Sequence, residues 1–181
     1  MKHHYEKKEC SQLTLESVRQ EIIKKITLWL DEIQNTYTFI PDDSASKNIY
    51  IRVSGRSTGD IEHMPKYFIE FQVNQDHFWL SPHLSFTESD KQGFNLSTEN
   101  FREKIMIMLK MPLLSLNLGY DYRPSPENFK LLEMKKLIYF DGFSKNVYFD
   151  AIDSLLHGYE YVLTIFNEFK DPGTLKYDWF L

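Results

Sequence analysis

Apolar positions in the first third of the chain recur at helical spacing. Leu15, Val18, Ile22, Ile26, Trp29 and Ile33 step by 3, 4, 4, 3 and 4, which draws one apolar stripe along a long helix. Ser11 or Thr14 is placed to cap its first turn, and Asn35, with a β-rich segment behind it, to end it. Glu16, Arg19, Lys24 and Lys25 fall on other faces. After a turn at residues 41–46 the period drops to two. Ile49, Ile51 and Val53 share one face of a strand, with Tyr50 and Arg52 on the other. Tyr67, Ile69, Phe71 and Val73 alternate in the same way with Phe68, Glu70 and Gln72. Asn74-Gln75-Asp76 is a hairpin-length connection, and His77 to Leu80 forms a third strand that ends ahead of Pro82. These runs predict a three-stranded antiparallel meander. Its second face, given Tyr50, Phe68 and Phe78, is unusually aromatic for a solvated surface.

From residue 97 the period is helical again. Ser97 caps, Glu99 suits the positive helix end, Phe101, Ile105 and Met108 line one face, and Pro112 stops the helix. Leu113 to Leu118 reads as a further short strand. Ser125-Pro126-Glu127 is a helix start, which predicts a helix to about Phe140 with Asp141-Gly142 at its end. The alternative is a hairpin turned by the same Asp-Gly between residues 137–140 and 147–149. In the last helix Tyr148, Ile152, Leu155, Tyr159, Val162, Phe166 and Phe169 step by 4, 3, 4, 3, 4 and 3 before Asp171-Pro172-Gly173.

The chain's 181 residues amount to about 1.2 average domains. With no linker or repeat in sight, they predict a single α+β domain over residues 1–181. It consists of a small antiparallel sheet of three to four strands packed with about four helices. Residues 1–10 are expected to fray, and residues 174–181 form an aromatic tail.

Net charge is −5, and its placement matters more than its total. Residues 35–100 carry 5 basic and 9 acidic side chains, a net of −4, against 0 for residues 1–34 and −1 for residues 101–181. No block is basic, which argues against a nucleic-acid partner. The acidic middle instead favours a basic protein. The single cysteine, Cys10, excludes an internal disulfide and suits a reducing compartment. No apolar run approaches the roughly 20 residues that span a membrane, and the N-terminus lacks a signal-peptide core. The expectation is a cytoplasmic protein without a membrane partner. The sequon at Asn95-Leu96-Ser97 is then a chance match.

Catalytic and ligand motifs are sparse. Ser54-Gly55-Arg56-Ser57-Thr58-Gly59 has the glycines of a phosphate loop, but Arg56 takes the wrong slot and a strand follows. His63, His77 and His83, with Asp76, lack the spacing of a zinc site, so neither metal nor cofactor is expected. Asp60 followed by Glu70-Phe71-Gln72 resembles the site of PD-(D/E)xK nucleases, in which carboxylates bind magnesium beside a catalytic lysine. Glu70 and Gln72 share a strand face, as that chemistry requires. Gln72, however, stands where the lysine belongs, Asp60 has no proline before it, and the segment is acidic. That resemblance gives Asp60, Glu70 and Gln72 as the alternative, catalytic set.

In size, acidity and lack of a catalytic motif the whole chain resembles immunity proteins of bacterial toxin systems, including the contact-dependent growth inhibition type. The resemblance implies a non-enzymatic inhibitor that blocks a toxin domain by direct binding. Tyr50 and Phe68 would then be the anchors, and Asp60, Glu62, Glu70 and Asp76 would meet basic residues of the partner.

Overall fold

A computed structural model describes residues 2–41, 48–54, 66–85, 99–123 and 131–170. In chain order the elements are α1 (Lys2–Glu32), β1 (Thr36–Ile40), β2 (Ile49–Ser54), β3 (Tyr67–Phe71) and β4 (His77–Ser85). They continue with α2 (Glu99–Ser115), β5 (Gly119–Arg123), β6 (Leu131–Tyr139) and α3 (Lys145–Lys170). The six strands form an antiparallel sheet in the order β1-β2-β3-β4-β6-β5. The class is α+β as expected, but the count is not. Six strands replace three to four, and the described residues hold three helices, not four.

The differences have local causes. The β-rich segment after Asn35 is a full strand, β1. Residues 131–139, expected within a helix running to Phe140, form β6 instead, antiparallel to β5 with Tyr120 opposite Met134 and Tyr122 opposite Leu132. The expected start of that helix at Ser125-Pro126-Glu127 lies outside the described residues. Pro112 lies inside α2, so residues 113–118 are the helix's last turn and its exit, not a strand. Pro82 likewise lies within β4. α1 begins at Lys2, upstream of the expected caps. Ser144 caps α3: its Oγ accepts the Val147 N–H at 3.3 Å and its carbonyl the Tyr148 N–H at 3.0 Å.

Two helices end in the same way. Gln34 and Asn117 take the left-handed conformation, at φ 59° and 54°. Behind them the Asn35 N–H reaches the Leu30 carbonyl and the Leu118 N–H reaches the Leu113 carbonyl, both at 2.9 Å. This is the Schellman closure usually built on glycine.

The chain divides into two compact units, Met1–Ser81 with Lys136–Asp153 and Pro82–Lys135 with Ser154–Leu181. In the first, Ile51, Val53, Ile69, Phe71, Phe78 and Leu80 are fully buried. α1 and the start of α3 close over this face: Trp29 meets Phe143 and Tyr148 at ring distances of 5.4 and 5.8 Å, and the Tyr148 and Tyr67 hydroxyls lie 3.2 Å apart. Of the expected α1 stripe, Ile22 and Ile26 are buried, joined by Ile23 and Leu30, whereas Ile33 is 38% exposed. Arg19, expected on another face, is also buried and pairs with Glu16 at 2.5 Å.

In the second unit Ile105, Leu109 and Leu113 of α2 pack inward, as do Leu155, Val162, Ile165 and Phe166 of α3. Gly158 permits close approach there, since a Cβ would stand 2.6 Å from Leu118 Cδ1. Ile107, Met111 and Leu114 of α2 remain exposed. No described helix is long and apolar enough to cross a membrane.

Candidate functional site

The first unit carries its most distinctive surface on the sheet face opposite the core. Antiparallel pairing places directly opposed residues on the same face. β2 and β3 therefore set Tyr50 beside Glu70 and Arg52 beside Phe68, and β1 extends these rows with Ile40 and Thr38. The Arg52 guanidinium carbon lies 5.6 Å from the centre of the Phe68 ring, a cation–π contact that keeps the ring partly covered.

Glu70 is held by a short polar chain. Its Oε1 accepts from Gln72 Nε2 at 2.9 Å and from the Tyr50 hydroxyl at 3.4 Å. Asn48 Nδ2 donates to that hydroxyl at 3.4 Å, and Asn48 Oδ1 accepts the Val73 N–H at 3.1 Å. One carboxylate is thus fixed among half-buried aromatic and amide groups.

β4 and β6 add the largest rings. Phe78 and Leu80 of β4 are buried in the core, so His77 and Trp79 belong to the other face. Phe78 was expected on this aromatic face. It stacks instead on Phe71 at 4.8 Å inside the core, and Trp79 takes the outward role. The His77 ring lies 5.5 Å from Trp79 and 5.6 Å from Tyr139, edge to face with both. Its Nδ1 is 3.0 Å from Asp76 Oδ1. Tyr139 is 54% exposed, which makes it the most accessible ring of the cluster.

Of the residues singled out by sequence, Tyr50, Phe68 and Glu70 come together on this face, with Asp76 beside His77. Asp60 and Glu62 lie outside the described residues. Trp79, Tyr139 and Ile40 escaped the sequence reading, although the strict alternation of β4 would have given Trp79 once its phase was known. The acidic excess is less visible than the rings. Of the nine acids in residues 35–100, only Glu70, Asp76 and Glu99 are among the described residues. For the nuclease alternative, Glu70 and Gln72 do meet, but as acceptor and donor of one hydrogen bond. Among the described residues no three His, Cys, Asp or Glu side chains gather as a metal site would need.

The fold is thus an antiparallel sheet with an aromatic outer face in its first unit. The chain belongs to the family of uncharacterized conserved proteins DUF2299, whose profile matches residues 69–166. Among solved structures it is similar to an uncharacterized protein from Methanothermobacter thermautotrophicus. That likeness has a TM-score of 0.67 and 19% identity, covering 82% of this chain and 96% of the other. At this identity the likeness concerns the fold alone. No curated protein matches the chain.

Proposed function

We propose that the chain is a non-catalytic protein-binding module that recognises a basic partner protein through the outer sheet face of its first unit. The observation that carries the reading is the row of rings on that face: Tyr50, Phe68, Trp79 and Tyr139, with Tyr139 more than half exposed. Rings on a sheet are rigid, so they add contact area at small entropic cost. Glu70, fixed by Tyr50 and Gln72, and Asp76 supply carboxylates for arginine or lysine. The π faces of Trp79 and Tyr139 suit the same cations. The narrower form of this reading is an inhibitor of the toxin-immunity type working in the cytoplasm. It rests on the chain's size, charge and lack of a catalytic motif, whereas the surface supports the broader form.

The experiment compares partners captured by the wild-type chain and by a Trp79→Ser, Tyr139→Ser double variant with unchanged thermal stability. A basic protein retained by the first and lost by the second, then bound directly when purified, is the expected result. Equal retention by both chains contradicts the assignment. The apolar stripe Ile107, Met111 and Leu114 on α2 favours a second reading, docking through that helix. A Met111→Lys variant that loses the partner while the double variant keeps it would establish that reading in its place.

A further inference from the structure

The strand order leaves β1 and β5 at the edges of the sheet. An edge strand presents unpaired N–H and C=O groups, and proteins usually blunt such edges with charges, proline or a bulge. β5 follows that practice, with Asp121 and Arg123 in Gly119–Arg123. β1 does not. Its five residues, Thr36-Tyr37-Thr38-Phe39-Ile40, are β-branched or aromatic and carry no charge and no proline. Among the described residues no hydrogen bond reaches β1 from any segment but β2. Phe39 lies on the core side, opposite Ile51, yet it is 50% exposed. The core side ends at this edge.

We propose that β1 pairs with β1 of a second copy of this chain, antiparallel about a two-fold axis through Thr38, joining two sheets into one. The strand's own sequence selects this occupant. A two-fold antiparallel pairing of all five residues sets Thr38 against Thr38, Tyr37 against Phe39 and Thr36 against Ile40. Tyr37 and Phe39 already meet edge to face at 6.1 Å within one chain, so the pairing assembles four rings on the core side and covers Phe39. No like charges oppose each other at any position. The same operation on β5 would place Asp121 against Asp121, which disfavours pairing there. The interface is isologous and closes after two copies. Five residue pairs bury well under the ~1,200 Å² of a stable complex, so the dimer is reversible.

Sedimentation of the full chain from about 5 μM to about 1 mM tests this, because weak association appears in that range. The weight-average mass is expected to climb towards twice that of the monomer. Thr38→Lys and Thr38→Glu should each stay monomeric throughout, and their equimolar mixture should recover the dimer because position 38 faces itself. As a check that does not depend on introduced charge, Thr38→Cys in a Cys10→Ser chain should oxidise to a disulfide-linked dimer far faster than Thr36→Cys. A wild-type chain that stays monomeric to 1 mM overturns the proposal. So do a dimer that both charged variants retain, a mixture that fails to associate, and equal cross-linking at positions 36 and 38.

Discussion

Removing one hydroxyl from the Tyr67–Tyr148 pair should cost nearly as much as removing both. The two oxygens lie 3.2 Å apart in the core of the first unit, where Tyr148 has no exposed surface and Tyr67 is 6% exposed. Tyr148→Phe leaves the Tyr67 oxygen buried without this partner, at a cost of about 1–3 kcal/mol, and Tyr67→Phe does the same in reverse. The double change deletes both polar atoms and keeps the ring contacts of position 148 with Trp29 and Phe143. Its total should fall short of the sum of the singles by about 1–2 kcal/mol. Urea unfolding of the four proteins measures this cycle. The pair also predicts a pH dependence. Burial, opposed by the Tyr148 hydrogen bond, pushes the Tyr67 hydroxyl up from 10.0 to about 12, and burial followed by the neighbouring Tyr67 raises Tyr148 further. Unfolded tyrosines ionise near pH 10 while the folded pair keeps its protons, so stability is complete below pH 10 and falls as pH rises beyond it. Tyr67 alone should account for about 2–3 kcal/mol of that loss by pH 12. Strictly additive single variants, or a wild-type chain no more alkali-sensitive than the double variant, would refute the reasoning.

Ile26→Ala and Leu155→Ala remove side chains that are 0% and 3% exposed, and each should lower stability by about 2–5 kcal/mol in urea titrations. Gly158→Ala should also lower the urea midpoint. Its Cβ would meet Leu118, Leu113 and Met134 at 2.6, 3.3 and 3.4 Å, and overpacking by about 1–3 kcal/mol outweighs a helix-propensity gain of about 1 kcal/mol. Glu32→Gln breaks the pair with Lys145, whose two side chains are about half exposed. It should cost under about 1 kcal/mol, less still in high salt, by the same titration.

What the sequence disclosed follows from where periodicity was clean. The stripes of α1 and α3 and the alternation in β2 and β3 were legible because apolar residues dominate their inward positions. β6 was not. Leu132, Met134 and Ile138 are buried at period two, but Lys136 interrupts them on the same side. Leucine, methionine, lysine and glutamate after Ser125-Pro126-Glu127 also favour a helix by composition. Burial lowers the Lys136 pKa; the antiparallel pairing of β6 with β5 is what overrode local preference. Arg19 broke the pattern the other way, as a charged residue inside a buried stripe. The error at Phe78 was one of phase. The turn before β4 takes Asn74 through φ 62°, and a one-residue shift exchanges the two faces of a strand. For the same reason the sequence places Tyr50 and Phe68 on the outer face but not Trp79.

The central claim is that the outer sheet face of the first unit is the binding surface. Its most direct test is the kinetics of the purified complex with Trp79→Ala and, separately, Asp76→Lys. The account predicts a dissociation rate about tenfold or more faster for Trp79→Ala with association little changed, as for a ring anchor at an interface. For Asp76→Lys it predicts slower association that converges with wild type at high salt. Unaltered kinetics in both variants, with the partner instead lost on Met111→Lys, would contradict it.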